Sequence, residues 1–357
     1  MNLEDVAKRA GVGSATVSRV LNGHPGVKSS TRAKVLRAVE TLKYKPNLHA
    51  RTLAGGRSRV LGIVMANLHN PFFADIYHAI ETNARQAGYE TLLTNSSHDV
   101  KLLKANVNRL LGQQVAGLAV FPEMEPAILD ELREAQIPVV LFDPSETTGS
   151  FTTIRFDHRK GMRMLLDLLF ALGHRRMAFI SAPLFVRPTE ARRLEFLETT
   201  ARHGAASLVV APSEDGFAGG REAARELLRT KFAPTAILCV NDWVAVGVIR
   251  ELRNQGISIP GDVSVTGFDN ITMSEFCCPS LTTIHIPRAE IGRLVVAGLV
   301  PDASDHPPAT RHVYLDPELV LRESTGIAPP VAAGCVFRAV GGSTLAGPVG
   351  GTLPGPD

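Results

Sequence analysis

Apolar and polar positions change their period twice along this 357-residue chain. Before Tyr44 the apolar residues recur at helical spacing in three short runs. The first predicts a helix from about Leu3 to Ala10, with Asn2 as its cap and Asp5 three residues on, the spacing of a capping box. Gly11 supplies the left-handed residue that ends it. The second run predicts a helix from about Ser14 to Leu21 that stops at Asn22-Gly23, with Gly13 or Ser14 as its cap. A third begins near Ser29 or Ser30, and Val35, Leu36, Val39 and Leu42 form its apolar stripe. Val6, Ala7, Ala10, Val17, Val20 and Leu21 close a small core with that stripe. A core of this size is marginal alone.

From Tyr44 to Arg59 core residues thin out, and the stretch ends near Gly55-Gly56. It reads as a linker with a short helical segment from Asn47 to Ala54. After Arg59 short apolar runs alternate with amphipathic ones. Strands are expected at 60–66, 89–94, 116–121, 138–142, 176–181, 235–240 and 262–268, with helices such as 73–87, 101–113, 159–172, 219–230 and 243–255 between them. This pattern indicates an α/β fold with parallel sheets covered on both faces. Its length favours two doubly wound lobes with a cleft off the carboxyl ends of the strands. The expected organisation is a headpiece (1–46), a hinge segment (47–59), a two-lobed body (60–327) and a disordered Gly/Pro-rich tail (328–357) without a leucine heptad.

Composition sharpens this picture at one end. Residues 1–60 hold twelve Lys or Arg against three acids, a net +9, whereas the whole chain is only +3. A basic piece on an acidic body points to a polyanion partner for that piece. The alternative is a basic solvated face. Four cysteines do not make a disulfide framework, no apolar run reaches membrane-helix length, and the charged start MNLEDVAKRAG is no secretory signal. A cytoplasmic, non-membrane protein is expected.

The first two helices, separated by Gly11, have the layout of a helix-turn-helix, whose second helix enters the major groove of double-stranded DNA. Arg19 suits guanine, Ala15 a thymine methyl, and Ser14 several base edges, while Thr16 and Ser18 suit phosphates. The competing role is a purely structural three-helix module.

The motifs LEDVAKRAGV, TVSRVLNG and YKPNLHARTLAGGRS resemble the headpiece and hinge of the lactose-repressor (LacI/GalR) family of bacterial transcription regulators. The resemblance continues through GHRRMAFI, PTAILCVND, GDVSVTGFDN, PSLTTIHIP and PELVLREST, over about residues 2–327. It implies a homodimeric repressor. A helix-turn-helix headpiece is joined to a two-lobed body like that of periplasmic binding proteins, and binds operator DNA. A sugar or sugar derivative, or alternatively a nucleobase or nucleoside, controls it from the cleft. Asn22 joins the expected DNA contacts. The hinge residues Asn47, Ala50 and Arg51 accompany Leu53, which matches the leucine that wedges into a minor-groove step. Leu53 as a plain linker residue is the alternative.

For the cleft, the resemblance implies Phe72 and Phe73, Asp143, Arg187, Thr189, Arg193, Phe217, Asn241 and Asp269. Arg187, Arg192 and Arg193 lie close together, so the register of the arginine stays open. Phe72 and Phe73 fit core packing equally well, Asp143 fits a helix cap or a salt bridge between lobes, and Asp242 is expected to cap the helix it precedes. No metal spacing, no cofactor motif and no nucleophile with its base is evident. The remaining alternatives are a pure binding protein and an enzyme with a DNA-binding module.

Overall fold

The computed structural model describes residues 2–21, 25–44, 58–121, 126–144, 149–182, 187–301 and 308–330. At the N-terminus α1 (Leu3–Ala10), α2 (Ser14–Leu21) and α3 (Ser29–Thr41) close around Val6, Ala7, Val17, Val20, Val35 and Ala38. The capping box forms: Asn2 Oδ1 accepts from Asp5 N, and Asp5 accepts from Asn2 N. Gly11 sits at φ +67°. Lys28 takes the cap position of α3 without a side-chain bond, so neither Ser29 nor Ser30 caps it. One expected core residue is misplaced. Leu36 is 50% exposed, and the inward stripe runs through Val35 and Ala38 instead.

The body contains two parallel sheets. The first has the order β2-β1-β3-β4-β5-β11, with β1 (Val60–Met65), β2 (Glu90–Asn95), β3 (Gly117–Val120), β4 (Val139–Phe142), β5 (Thr152–Phe156) and β11 (His312–Leu315). Side chains alternate across it. Leu61, Ile63, Ala119, Val140 and Ile154 pack toward α4 (Pro71–Gln86) and α12 (Arg288–Leu299). Val64, Leu118, Val120 and Leu141 pack toward α5 (Val100–Gly112) and α6 (Pro126–Glu134). That two-sided burial is why the runs read as continuously apolar.

The second sheet has the order β7-β6-β8-β9, with β6 (Arg176–Ile180), β7 (Ala206–Val210), β8 (Ala236–Cys239) and β9 (Ser264–Thr266). Its helices are α7 (His158–Ala171), α8 (Arg187–Arg202), α9 (Gly216–Arg229), α10 (Asp242–Asn254) and the short α11 (Thr272–Phe276). An antiparallel pair, β10 (Thr283–His285) and β12 (Glu318–Val320), completes this lobe. The chain therefore passes between lobes three times: from Phe156 to His158, from His285 to Arg288, and from Leu315 to Glu318. The buried His174 ring binds Thr235 and the Gly326 carbonyl, and Ala328 N donates to Leu172 O. The first residue of the expected tail is thus tied to the second lobe. The tail beyond Pro330 lies outside the described residues.

The helices expected in the headpiece and body are found within a few residues of their limits, and the segment expected from Asn47 to Ala54 lies outside the described residues. The strands β5, β7, β10, β11 and β12 went unpredicted, and the expected strand at 262–268 is only Ser264–Thr266. Among the described residues, no helix is long and apolar enough to cross a membrane.

Two glycines set how closely α9 and α10 pack. A Cβ on Gly220 would lie 2.1 Å from Val244 O, and one on Gly247 would lie 2.2 Å from Phe217 O. Backbone meets backbone here, so no side chain can yield. Gly247→Ala is expected to destabilise the protein by about 1–3 kcal/mol through overpacking. A drop in the thermal midpoint checks this, and an unchanged midpoint contradicts the tight crossing.

Candidate functional site

Parallel βα units put every helix start at the carboxyl end of a strand. In this chain those ends from the two sheets meet around the three crossings. From the first lobe comes Asn70, which caps α4 by accepting from Phe72 N. Phe72 and Phe73 follow, with ring centroids 5.3 Å apart. Phe121 and Phe142 continue the aromatic wall at 4.9 Å. Asp143 ends β4 with φ +51°.

Asp143 meets the second lobe through His158, whose Nε2 donates to Asp143 Oδ2. The tautomer follows from the opposite nitrogen. Nδ1 accepts from Arg192 Nε at 3.1 Å, and a guanidinium only donates. The His158 ring packs on Phe156 at 3.9 Å. Arg192 is buried. Its Nη1 donates to Val240 O, its Nη2 donates to Asp269 Oδ1 at 3.3 Å, and its guanidinium lies 3.6 Å over the Phe268 ring. Asp269 follows β9 with φ +102°, a conformation a non-glycine residue seldom holds. Its carbonyl accepts from Arg288 Nη1, and Arg288 Nε pairs with Asp75 on α4 at 3.1 Å.

Burial dominates the ionisation of these groups. It depresses His158, partly opposed by the Asp143 charge, so the ring is neutral. It lowers Arg192 from its usual value and pushes Asp269 up to about 6, against the pull of Arg192. Asp242 is pushed up to about 8 by burial and then by the Asp269 charge. At the cleft mouth, His98 of the first lobe and Asp215 of the second feel each other's charge. Burial lowers His98 and raises Asp215. Ser97 and His98 both have positive φ, so strained backbone marks the strand ends of both lobes.

The sequence-derived residues fall into groups. Phe72 is buried in the core wall while Phe73 is half-buried beside it. Asp143, Asn241 and Asp269 lie at the converging strand ends, and Asn241 caps α10 by accepting from Val244 N. Asp242 does not cap that helix. It accepts from Thr283 Oγ1 and Ile271 N, holding β10 and the segment after β9. Arg193 is turned away to Glu190, with Nε 2.8 Å from Oε2, so the arginine joined to the cleft is Arg192. Thr189 is half-buried in the first turn of α8. Arg187 opens that helix, and its side chain is outside the described set. Phe217 is 37% exposed and packs edge-on to Trp243 at 6.0 Å. His158 and Arg288 escaped the sequence reading, because each follows a crossing that only the topology reveals. In the headpiece, Ser14, Ala15 and Arg19 are exposed and Thr16 and Ser18 half-exposed on α2. Asn22, Asn47, Ala50, Arg51 and Leu53 lie outside the described residues.

Fold and site together define a helix-turn-helix module joined to a two-lobed small-molecule receptor. Residues 2–47 match the bacterial regulatory proteins of the lacI family, and residues 166–325 match a periplasmic binding protein-like domain. Catabolite control protein A of Priestia megaterium is 30% identical over 91% of this chain and 99% of its own length. The HTH-type transcriptional repressor PurR of Mannheimia succiniciproducens is 32% identical over 90% and 98%. The lac repressor dimer bound to operator and the anti-inducer ONPF superposes with a TM-score of 0.80 at 29% identity, over 91% of this chain and 99% of that one. The chain belongs to the lacI family of bacterial regulatory proteins. It is a DNA-binding, ligand-responsive transcriptional repressor, and its relatives are regulators rather than enzymes.

Asp242 gives a test of the buried charges. Its folded value of about 8 lies above the ordinary 3.8, so the native state holds the proton more tightly. That stabilisation is present at low pH and is lost as pH rises through this window. Asp242→Asn is expected to flatten the fall of the thermal midpoint between about pH 4 and 8. Equal slopes for variant and parent would contradict this.

Proposed function

We propose that this repressor binds a pseudo-palindromic operator as a homodimer, and that a small molecule in the interlobe cleft sets its affinity for that DNA. One observation carries the DNA half. Helix α2 turns Val17 and Val20 into the headpiece core and leaves Ser14, Ala15 and Arg19 on the outer side. Arg19 then reads a guanine, Ala15 a thymine methyl and Ser14 a base edge, with Thr16, Ser18 and Asn22 at the backbone. The headpiece (1–46) connects through the hinge (47–59), where Asn47, Ala50 and Arg51 support the Leu53 wedge. The protein acts in the cytoplasm, on the nucleoid when operator-bound.

A second copy has suitable surface. Leu92, Val100 and Leu102 are exposed beside the edge strand β2, and Met273 and Phe276 are exposed on α11. Apolar side chains along an open sheet edge support a dimer.

Helix-start chemistry narrows the effector. Starts facing the cleft already hold side-chain oxygens from Asn70, Asp99, Asp215 and Asn241. Two of these are carboxylates, which compete with a phosphate at a helix start. With Asp143 and Asp269 nearby, the cleft offers acceptors and suits an unphosphorylated sugar or sugar derivative. Phe73, Arg192, Asp143, Asn241, Asp269 and Phe217 are its expected contacts, with Arg187 and Thr189 at the start of α8. The Phe217–Trp243 pair favours a second reading, a nucleobase or nucleoside stacked on the ring.

Two measurements test this reading. A thermal-shift screen is expected to show stabilisation by an unphosphorylated sugar or a nucleoside, about 2.7 kcal/mol at a hundred times the dissociation constant. Trp243 is the sole tryptophan, so its emission reports the same binding. Stabilisation by sugar phosphates alone contradicts the effector class. Arg19→Ala is expected to cost about 1–3 kcal/mol of specific affinity at one base position. Undiminished discrimination across the operator contradicts that contact.

A further inference from the structure

The polar contacts in the cleft close on themselves. Asp143 of the first lobe accepts from His158, and His158 accepts from Arg192. Arg192 donates to Asp269, whose carbonyl accepts from Arg288. Arg288 already belongs to the first lobe, where it pairs with Asp75. The path leaves the first lobe at one crossing and re-enters it at another. His158 is the first residue of α7 beyond the first crossing, and Arg288 is the first residue of α12 beyond the second.

We propose that His158 is a positioning residue that couples the lobe angle to Arg192, so that a ligand drawing on the Arg192 guanidinium releases the first crossing and shifts the repressor away from its operator-binding arrangement. The inference rests on the operator-binding reading above. Three observations carry it. First, the middle of the path is dry. The side chains of His158, Arg192 and Asp269 are 8%, 6% and 5% exposed, and contacts in such a site are strong and geometrically strict. Second, a rotation between lobes cannot stretch these contacts gradually. It must break Asp143–His158 or the bond from Arg288 to the Asp269 carbonyl, which makes the element two-state. Third, Arg192 Nε has a single N–H and gives it to His158 Nδ1, so an acceptor that turns the guanidinium out of line takes that bond away. A ligand acceptor that recruits it therefore competes with His158.

Two substitutions separate the bonds from the packing. His158→Phe keeps an aromatic ring between Phe156 and Phe268 and deletes both hydrogen bonds. His158→Gln keeps a donor and an acceptor and deletes the ring. Binding is measured on a duplex selected in vitro by the full-length wild-type chain. Amide hydrogen exchange is followed at 156–158 and at His285, Ile286 and Arg288. His158→Phe is expected to weaken operator binding about tenfold, within the usual range of allosteric coupling, and to speed exchange at both crossings. His158→Gln is expected to restore both. Wild-type affinity in His158→Phe overturns the proposal. So does equal damage from both substitutions, which would mean that ring packing alone matters. Arg288→Met removes the second link between the lobes and decides the matter if His158→Phe does not fold; unchanged operator affinity there also overturns it. If the wild-type chain selects no duplex, the operator reading fails, and the exchange contrast between Phe and Gln at position 158 still judges the coupling.

Discussion

A guanidinium taken out of water must be surrounded by acceptors, and it constrains everything that supplies them. Arg192 imposes that constraint on this body. The chain after β8 must turn the Val240 carbonyl toward α8. The segment after β9 must place Asp269 within reach, at the cost of an uncommon φ. The first residue of α7 must present an unprotonated nitrogen, which only a neutral histidine supplies there. Phe268 lies flat beneath the cation. Four stretches far apart in sequence are thereby fixed relative to one another.

The same constraint explains why the two ends of the molecule differ. The headpiece keeps a small apolar core and leaves its basic and hydroxyl side chains in water, where they can meet a polyanion. The cleft does the reverse, burying ionisable groups and satisfying them internally. Its helix starts carry their own oxygens, so its electrostatic character is that of an acceptor-rich site. In the proposed reading, DNA and a small molecule are recognised by regions of opposite exposure.

Much of this was legible from residue order. Capping residues, the Gly11 turn and the alternation of strands and helices located most elements, because their apolar periods are clean. The gaps have physical causes. β7 and β11 are edge strands with mixed exposure, so neither period stands out. β10 and β12 are three residues each. Helix α8 buries Arg192, Glu195, Thr199 and Thr200 beside Phe196. Its inward face is polar, and no apolar stripe says which of two adjacent arginines points in. Glu195 is held there by Arg159 and Arg163 of α7, partners remote in sequence. Asp143, Asn241 and Asp269 were visible because a strand ends just before each. His158 and Arg288 take their meaning from the crossings.

Those crossings also bear on how the protein is made. Synthesis delivers β1 to β5 early, but α12 and β11 emerge only after the entire second sheet. Until then Val140, Ile154 and their neighbours lack the helix that covers them. The nascent first lobe therefore carries an open apolar sheet face through most of translation, a surface open to chaperones and to aggregation. The second lobe also waits, since β12 arrives after β11. Neither half can mature before the ribosome nears residue 320, so the lobes complete their folding together.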